Sequence, residues 1–516
     1  MEESRTLNTK RNIIWSLAEY LTTVIFQFVS RFIIVQVLGA EYLGLSSLFT
    51  SILHVLNMAE LGFSTAIIYN MYKPIANNDI DTVCSLLAYY RKIYRIIGTI
   101  LLTAGFAVMP FLPYLISGEY PSDINIYILY SLYVANTGIS YFLFAYKTSL
   151  LNALQRLDLT KIAYCIVNVS QYVLQIVVLI AFKGIGPINY YLFVAIMIVG
   201  TASKNLLAAL IVSKRYPQYK CYGKLDVETK KNVIEKVKGL LICNISGVTY
   251  TTFDSIIISA FIGLSTVAIY NNYLTVYSGV ASIVVLIRSA MQASVGNSVA
   301  KESIEKNLND IKKWQFLFSI IATICSSCML CMFQPFMILW MGEDMLLPTI
   351  DVFLISAWLF VSTIQHAFYL YLSATGLWWD IKWAYILSTI VNLALNLILC
   401  NFIGTTGIIA ATLISSLIFG TIWQCAIIFK KYFGMNATKY FATQLIYIVF
   451  AGVVWVSCYF LCSLISCNLF LSLFLRLLIC CFLTTILTIL VFFKTNVFKQ
   501  CMNLFLVAIK SKNKKV

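Results

Sequence analysis

The sequence predicts an all-α integral membrane protein. It would have 14 transmembrane helices, built as two parallel six-helix repeats plus two extra C-terminal helices, with both termini cytoplasmic. Three observations lead there. Of 516 residues, 60% are hydrophobic and only 11% are charged, and apolar runs repeatedly reach the roughly 20 residues that a membrane helix needs. The basic residues behind a formal net charge of +16 gather in alternate connections. A weak internal repeat also emerges when the chain is shifted by 224 residues.

The spans follow from the apolar runs. In the first half they cover 13–38, 45–69, 93–116, 124–150, 162–182 and 188–212. In the second half they cover 240–262, 267–293, 314–341, 350–374, 381–403 and 407–429, and the extra pair covers 441–464 and 469–493. Residues 1–12 are polar, and the first span is too long for the apolar core of a signal peptide, so it is expected to remain as structure. Trp15, Tyr42, Tyr72 and Trp314 fall near span ends, where aromatic belts form.

Orientation follows from charge. One set of connections carries Arg5, Lys10, Arg11, Lys73, Arg91, Lys92, Arg156, Lys161, the lysines from Lys214 to Lys238, Lys301 to Lys313, Lys430, Lys431, Lys439 and the basic tail. The opposite set is short and holds a single basic residue, Lys183. The positive-inside rule places the basic set and both termini in the cytoplasm.

The repeat lays Phe32 to Gly39 over Ile256 to Gly263, Ile75 and Ala76 over Val299 and Ala300, and Ile80 and Asp81 over Ile304 and Glu305. Six is an even number of spans, so both halves enter from the same side and are parallel repeats. Four segments result: an N-terminal half over 1–213, a basic amphipathic linker over 214–239, a second half over 240–430, and two further spans with a basic tail over 431–516. The stretches 81–91, 226–238 and 303–313 carry apolar stripes flanked by lysines and are expected to lie in the headgroup plane.

Several function classes are excluded. No Walker A sequence, dinucleotide glycine fingerprint or HExxH zinc motif is present. No soluble domain interrupts the spans, and the outer connections are too brief to house a membrane enzyme's catalytic loops. The net positive charge is accounted for by the membrane-facing loops, so no nucleic acid partner is expected. Fifteen cysteines fall mostly inside spans. Cys325-Ser-Ser-Cys328 with Cys331 has no His or second Cys pair beside it in sequence, so it reads as packing, and no metal or cofactor is expected.

The informative positions are the buried charges: Glu19 and Arg31 in span 1, Glu60 in span 2, Asp254 in span 7 and Arg288 in span 8. A charge at the bilayer centre costs roughly 2.5–3.5 kcal/mol on insertion scales, so such a cluster points to a polar transport path. A guanidinium grips phosphate bidentately and stays charged, so Arg31 and Arg288 are candidates for holding an anionic headgroup. The competing reading pairs Arg31 with Glu60 or Asp254 and lets Arg288 snorkel to the surface. Glu60 and Asp254 are candidates for H+ or Na+ coupling, or for a helix-to-helix ion pair. Secondary candidates are Glu19 at a cavity mouth, His54 sharing the cavity, Asn271 and Asn272 for sugar hydroxyls, and Arg476, which either snorkels outward or lines a groove of the extra spans.

Residues 31–44, reading Arg-Phe-Ile-Ile-Val-Gln-Val-Leu-Gly-Ala-Glu-Tyr-Leu-Gly, resemble the Wzx-type polysaccharide flippases of the multidrug/oligosaccharidyl-lipid/polysaccharide (MOP) superfamily. So do Ala-Glu-Leu-Gly-Phe at 59–63 and the segment 253–263 followed by Tyr270. The resemblance implies a multi-pass protein of the bacterial inner membrane. Its cargo would be undecaprenyl-pyrophosphate-linked oligosaccharide repeat units, carried through a cavity lined chiefly by spans 1, 2, 7 and 8. A polysaccharide polymerase and chain-length machinery are implied as partners. Where this family often has Asp after the span 2 Ala, this chain has Glu60. The five cavity charges sum to −1, a balance that keeps a cation-coupled multidrug antiporter of the same superfamily as the rival reading.

Overall fold

The computed structural model describes residues 5–60, 63–118 and 120–503, and among them every regular element is helical. In chain order the helices are α1 (Arg5–Leu38), α2 (Ala40–Asn57), α3 (Phe63–Ala76), α4 (Ile80–Val108), α5 (Ile126–Phe142), α6 (Tyr146–Ala153), α7 (Leu157–Ala181), α8 (Ile188–Arg215) and α9 (Val227–Phe261). They continue with α10 (Leu264–Lys301), α11 (Ile304–Met341), α12 (Thr349–Ile364), α13 (His366–Thr375), α14 (Lys382–Ser415), α15 (Gln424–Ile428), α16 (Thr438–Ser463) and α17 (Leu469–Phe492). Two compact units divide the chain, Met1–Ala268 and Ile269–Val516, so the boundary falls in the first turns of α10.

Ten helices of the described residues are long and apolar enough to cross a membrane, or eleven if the bent pair α5 and α6 is one span. The expected fourteen differ from this at identifiable places. A 3-10 turn, Met58–Glu60, separates α2 from α3. A continuous helical stretch, Lys382–Phe433, holds two expected spans, and its φ/ψ leave the helical region at Ile403 and Gly404. The expected span 240–262 falls largely on side chains outside the described residues, and its described part is the short apolar stretch Thr252–Phe261.

The 224-residue register reappears in the helix starts. Ala40 and Leu264 open α2 and α10, and Ile80 and Ile304 open α4 and α11. The preceding residues match as well. Gly39 and Gly263 make the turns with φ of 103° and 136°, conformations that a Cβ disfavours. Asp79 and Ser303 are the N-caps, accepting from the amides of Thr82 and Lys306. Among the differences between the two copies, α10 runs unbroken where its counterpart has a 3-10 turn at Met58–Glu60.

The amphipathic stretches do not form separate surface helices. They are the first turns of α4, α9 and α11, continuous with the membrane helices. Val83, Leu86, Leu87 and Tyr90 belong with Val233 and Val237 to one buried cluster of the first unit, so these six side chains are covered by protein, whereas Val227 and Ile234 of the 226–238 stripe are exposed. Lys236 and Lys238 have side chains outside the described residues.

In the first unit α1 lies against α7, and α9 lies against α2 and α3. Gly44 on α2 is where the first turn of α10 comes closest; a Cβ there would fall 2.2 Å from the Leu264 carbonyl oxygen. In the second unit α11 is the central helix, covered by α12, α16 and α17. The outer faces of α16 and α17 leave Val456 at 71% and Phe482 at 63% exposure, a surface suited to lipid tails.

Candidate functional site

Glu60 sits in the 3-10 turn that breaks the second membrane helix. At this turn both carboxylate oxygens meet phenols. Tyr94 of α4 donates to Oε1, and Tyr141 of α5 donates to Oε2 at 2.6 Å. Tyr141 also faces Asn57 Oδ1 at the end of α2. Tyr90 and Tyr94, one turn apart on α4, pack edge to face with centroids 4.5 Å apart. Among the described residues, Glu60 is therefore held by a tyrosine cage. Leu61 and Gly62 of the 59–63 motif lie outside the described residues.

Arg31 projects from α1 with its Nη2 buried, within electrostatic reach of the Tyr190 phenol. Tyr190 belongs to a polar chain: its hydroxyl donates to the Tyr42 carbonyl at 2.9 Å and lies 3.2 Å from the Tyr133 hydroxyl, which reaches Ser46 at 2.8 Å. Tyr42 in turn donates to both oxygens of Asp123. Asp254 on α9 is fully buried, with Ser255 at 1% exposure beside it. Glu19 is ion-paired with Lys161 of α7 at 3.0 Å. About twelve residues separate Glu19 from Arg31, roughly 18 Å of helix, so the two occupy different depths. His54 is exposed on α2.

In the second unit Arg288 lays its guanidinium over the Tyr369 ring, 4.0 Å from the centroid. This contact uses the π face of the cation and spares its in-plane N–H donors. His366 lies within electrostatic reach of Arg288 and packs on Phe318 of α11. Asn272 is fully buried and Asn271 partly so. Tyr273, next to them, accepts from the Leu347 amide and donates to Gln334.

Arg476 lines a groove of the extra helices. Its Nε donates to Ser472 at 2.9 Å and its Nη1 to the Cys331 carbonyl at 3.0 Å. Together these residues line a cavity of about 370 Å³ between α11, α12, α16 and α17. Cys331 is thirteen residues along α11 from Phe318, roughly 20 Å, so Arg476 and Arg288 belong to different places.

Sequence reasoning missed the groups that hold these charges: Tyr94, Tyr141, Tyr190, Lys161 and Tyr369. The i, i+4 spacing of Tyr90 and Tyr94 was a usable signal, but Tyr90 reads with the apolar stripe of 81–91. It also missed the thiols. Among the described residues, Cys331, Cys462 and Cys480 form the group of ligand-type side chains close enough to hold a metal ion.

Ten or eleven helices long and apolar enough to cross a membrane, with exposed apolar faces and buried charges, define a multi-pass membrane protein. Comparison with known proteins agrees. The sequence matches the polysaccharide biosynthesis protein family over residues 9–295, more than half of the chain. The chain belongs to that family. No curated protein matches it.

By fold it is similar to a lipid II flippase in an inward closed conformation, with a TM-score of 0.62 at 16% identity, covering 93% of this chain and 98% of that one. It is also similar to an inward-facing multidrug resistance MATE transporter of the MOP superfamily, with a TM-score of 0.61 at 13% identity, covering 80% and 97%. A Vibrio cholerae MATE transporter matches with a TM-score of 0.55 at 13% identity, covering 81% and 96%. The resemblance read from residues 31–44, 59–63 and 253–263 thus stands at the level of family and fold.

Proposed function

We propose that this protein is a flippase that moves polyprenyl-pyrophosphate-linked oligosaccharide repeat units across the bacterial inner membrane for surface polysaccharide synthesis. Its fourteen spans would have both termini in the cytoplasm, and the two repeats would alternate the access of a central cavity. The observation that carries the reading is membership of the polysaccharide biosynthesis family over 9–295. Arg31 and Arg288 are assigned to the pyrophosphate, and Asp254 and the Asn271 and Asn272 pair to the polar remainder of the cavity.

Glu60 is assigned to proton coupling, on the chemistry of its cage. The single hydroxyl proton of Tyr141 faces two acceptors, Glu60 Oε2 and Asn57 Oδ1. A proton on Glu60 would let the carboxyl donate to Tyr141 and release the tyrosine proton to Asn57. Both protonation states then find complete hydrogen bonding, as a site that cycles between them requires.

Deletion of the gene, followed by analysis of lipid-linked repeat units and of surface polysaccharide, tests the function. Accumulation of the lipid-linked unit with loss of surface polymer, restored by the wild-type gene, is expected. Unchanged surface polymer would refute the assignment. The MATE likeness favours multidrug antiport as the second reading, and a gain in drug susceptibility with intact polymer would select it.

A further inference from the structure

A second site lies in the extra helices, away from any role given to the transport path. Five thiols converge there from three helices that are distant in sequence. Cys331 of α11, Cys462 of α16 and Cys480 of α17 place their sulfurs within 4.8 Å of one another. The Cys480 thiol also contacts those of Cys328, one turn before Cys331, and Cys458, one turn before Cys462. Cys331, Cys458, Cys462 and Cys480 are each at most 2% exposed. Packing alone asks for small apolar side chains at these positions and is met equally by alanine or valine. Three mutually close sulfurs, with two more against Cys480, offer a donor set in addition.

The surroundings are matched to an anionic centre. Arg476, one turn before Cys480 on α17, interacts with Cys462 and donates to the Cys331 carbonyl. The cavity of about 370 Å³ that Arg476 lines also reaches Cys331 and the exposed Cys467 of the α16–α17 loop, which supplies a thiol-marked approach. None of its lining residues is acidic.

We propose that Cys331, Cys462 and Cys480, backed by Cys328 and Cys458, bind one soft monovalent cation of the copper(I) class, with Arg476 as counter-charge. Thiolates select soft ions, and carboxylates are absent from the cluster. Charge separates the soft candidates. A copper(I) ion on two thiolates carries −1, which Arg476 neutralises, whereas a zinc ion on four thiolates carries −2 and leaves one charge unpaired in an apolar setting. On binding, two S–H bonds break and two protons leave to solvent; the ion forms two copper–thiolate bonds and a third bond to the lone pair of the remaining, still protonated thiol, with no change of oxidation state. With metal–sulfur bonds of roughly 2.3 Å, the sulfurs draw in to about 4 Å, a shift that χ1 rotation supplies. The ion would staple α16 and α17 to α11.

The test uses the full-length, detergent-solubilised, reduced protein under inert gas, titrated with the copper(I)–bicinchoninate complex. Transfer of one copper per chain is expected, with a rise in melting temperature and a sulfur-only first shell by X-ray absorption. Cys331→Ser/Cys462→Ser/Cys480→Ser should lose at least about a hundredfold in affinity, and Arg476→Gln about tenfold. Cys84→Ser/Cys425→Ser, buried elsewhere, should bind as wild type. A wild-type protein that leaves the copper on the probe overturns the proposal. So does a first shell of nitrogen or oxygen, or a triple variant that binds unchanged. If the triple variant fails to fold, wild-type transfer and the X-ray shell decide.

Discussion

The Tyr141 hydroxyl donates to Glu60 Oε2 at 2.6 Å, so the carboxyl that interrupts the second membrane helix is held by a phenol from α5. With Tyr94 on the other oxygen, the turn at Met58–Glu60 is fixed by side chains from two neighbouring helices. That geometry separates two substitutions of the same residue. Glu60→Ala leaves the Tyr94 phenol without its acceptor, while Tyr141 keeps Asn57, and an unsatisfied buried group costs about 1–3 kcal/mol. Glu60→Gln keeps one carbonyl acceptor and supplies a donor to the Tyr141 oxygen, imitating the protonated acid. Glu60→Gln should melt within a few degrees of wild type and fail to restore surface polysaccharide, whereas Glu60→Ala should melt well below it. A Glu60→Gln protein that restores polymer fully would remove Glu60 from coupling.

The glycine at the α2–α10 approach has a paired control in α10. At Gly44 an added Cβ would lie 2.2 Å from the backbone oxygen of Leu264, which cannot rotate away. Gly44→Ala must push α2 off the start of α10 and should cost about 1–3 kcal/mol. Gly279 of α10 has no atom within 4 Å of such a Cβ, so Gly279→Ala is free to gain up to about 1 kcal/mol of helix propensity. Thermal unfolding in detergent should move in opposite directions for the two variants.

Membership in a membrane fold was legible because it is written in local signals. Apolar runs give the spans, loop lysines give a bias, and the shift of 224 residues that aligns Phe32 with Ile256 reappears in the starts at Ala40 and Leu264. Breaks were not legible. Nothing in the hydropathy of 45–69 marks the turn at Met58–Glu60, because the turn is held by Tyr94 and Tyr141 from other helices. The amphipathic stretches misled for a related reason. An apolar stripe fits lipid and protein equally, and the cluster that gathers Val83 and Val233 together is a tertiary fact. The charges were found and their partners were not: Glu19 met Lys161 across 142 residues, a separation that periodicity does not register. The thiols at Cys331, Cys462 and Cys480 lay scattered for the same reason.

The caps outside the membrane give a pH prediction. Asp79 accepts from the Thr82 amide and Asp226 from the Thr229 amide, and these bonds hold both carboxyls below the ordinary aspartate value. A carboxyl depressed in the folded state adds stability that is complete above its unfolded pKa of about 3.9 and is lost as the pH falls through the lower folded value. Hydrogen exchange at the first turns of α4 and α9 should therefore be insensitive to pH above about 4.5, after correction for intrinsic rates, and lose protection below the folded pKa. Asp79→Asn and Asp226→Asn should remove that acid step and keep the first turns helical, since Asn also caps.

Pro335 and Arg476 should be coupled. Proline has no N–H, so Pro335 leaves the Cys331 carbonyl, four residues earlier in α11, without its helical donor. Arg476 Nη1 supplies one at 3.0 Å. In the wild-type background Arg476→Leu strands that carbonyl and should cost about 1.5–3 kcal/mol, the range for a hydrogen bond with a charged partner. In a Pro335→Ala background the restored Ala amide satisfies Cys331 from within the helix, so the same Arg476→Leu change should cost markedly less. A double-mutant cycle on thermal unfolding in detergent, without added copper, should return a coupling energy of about 1 kcal/mol or more. Additive effects would mean that Arg476 holds the extra helices through contacts other than the carbonyl that proline exposes.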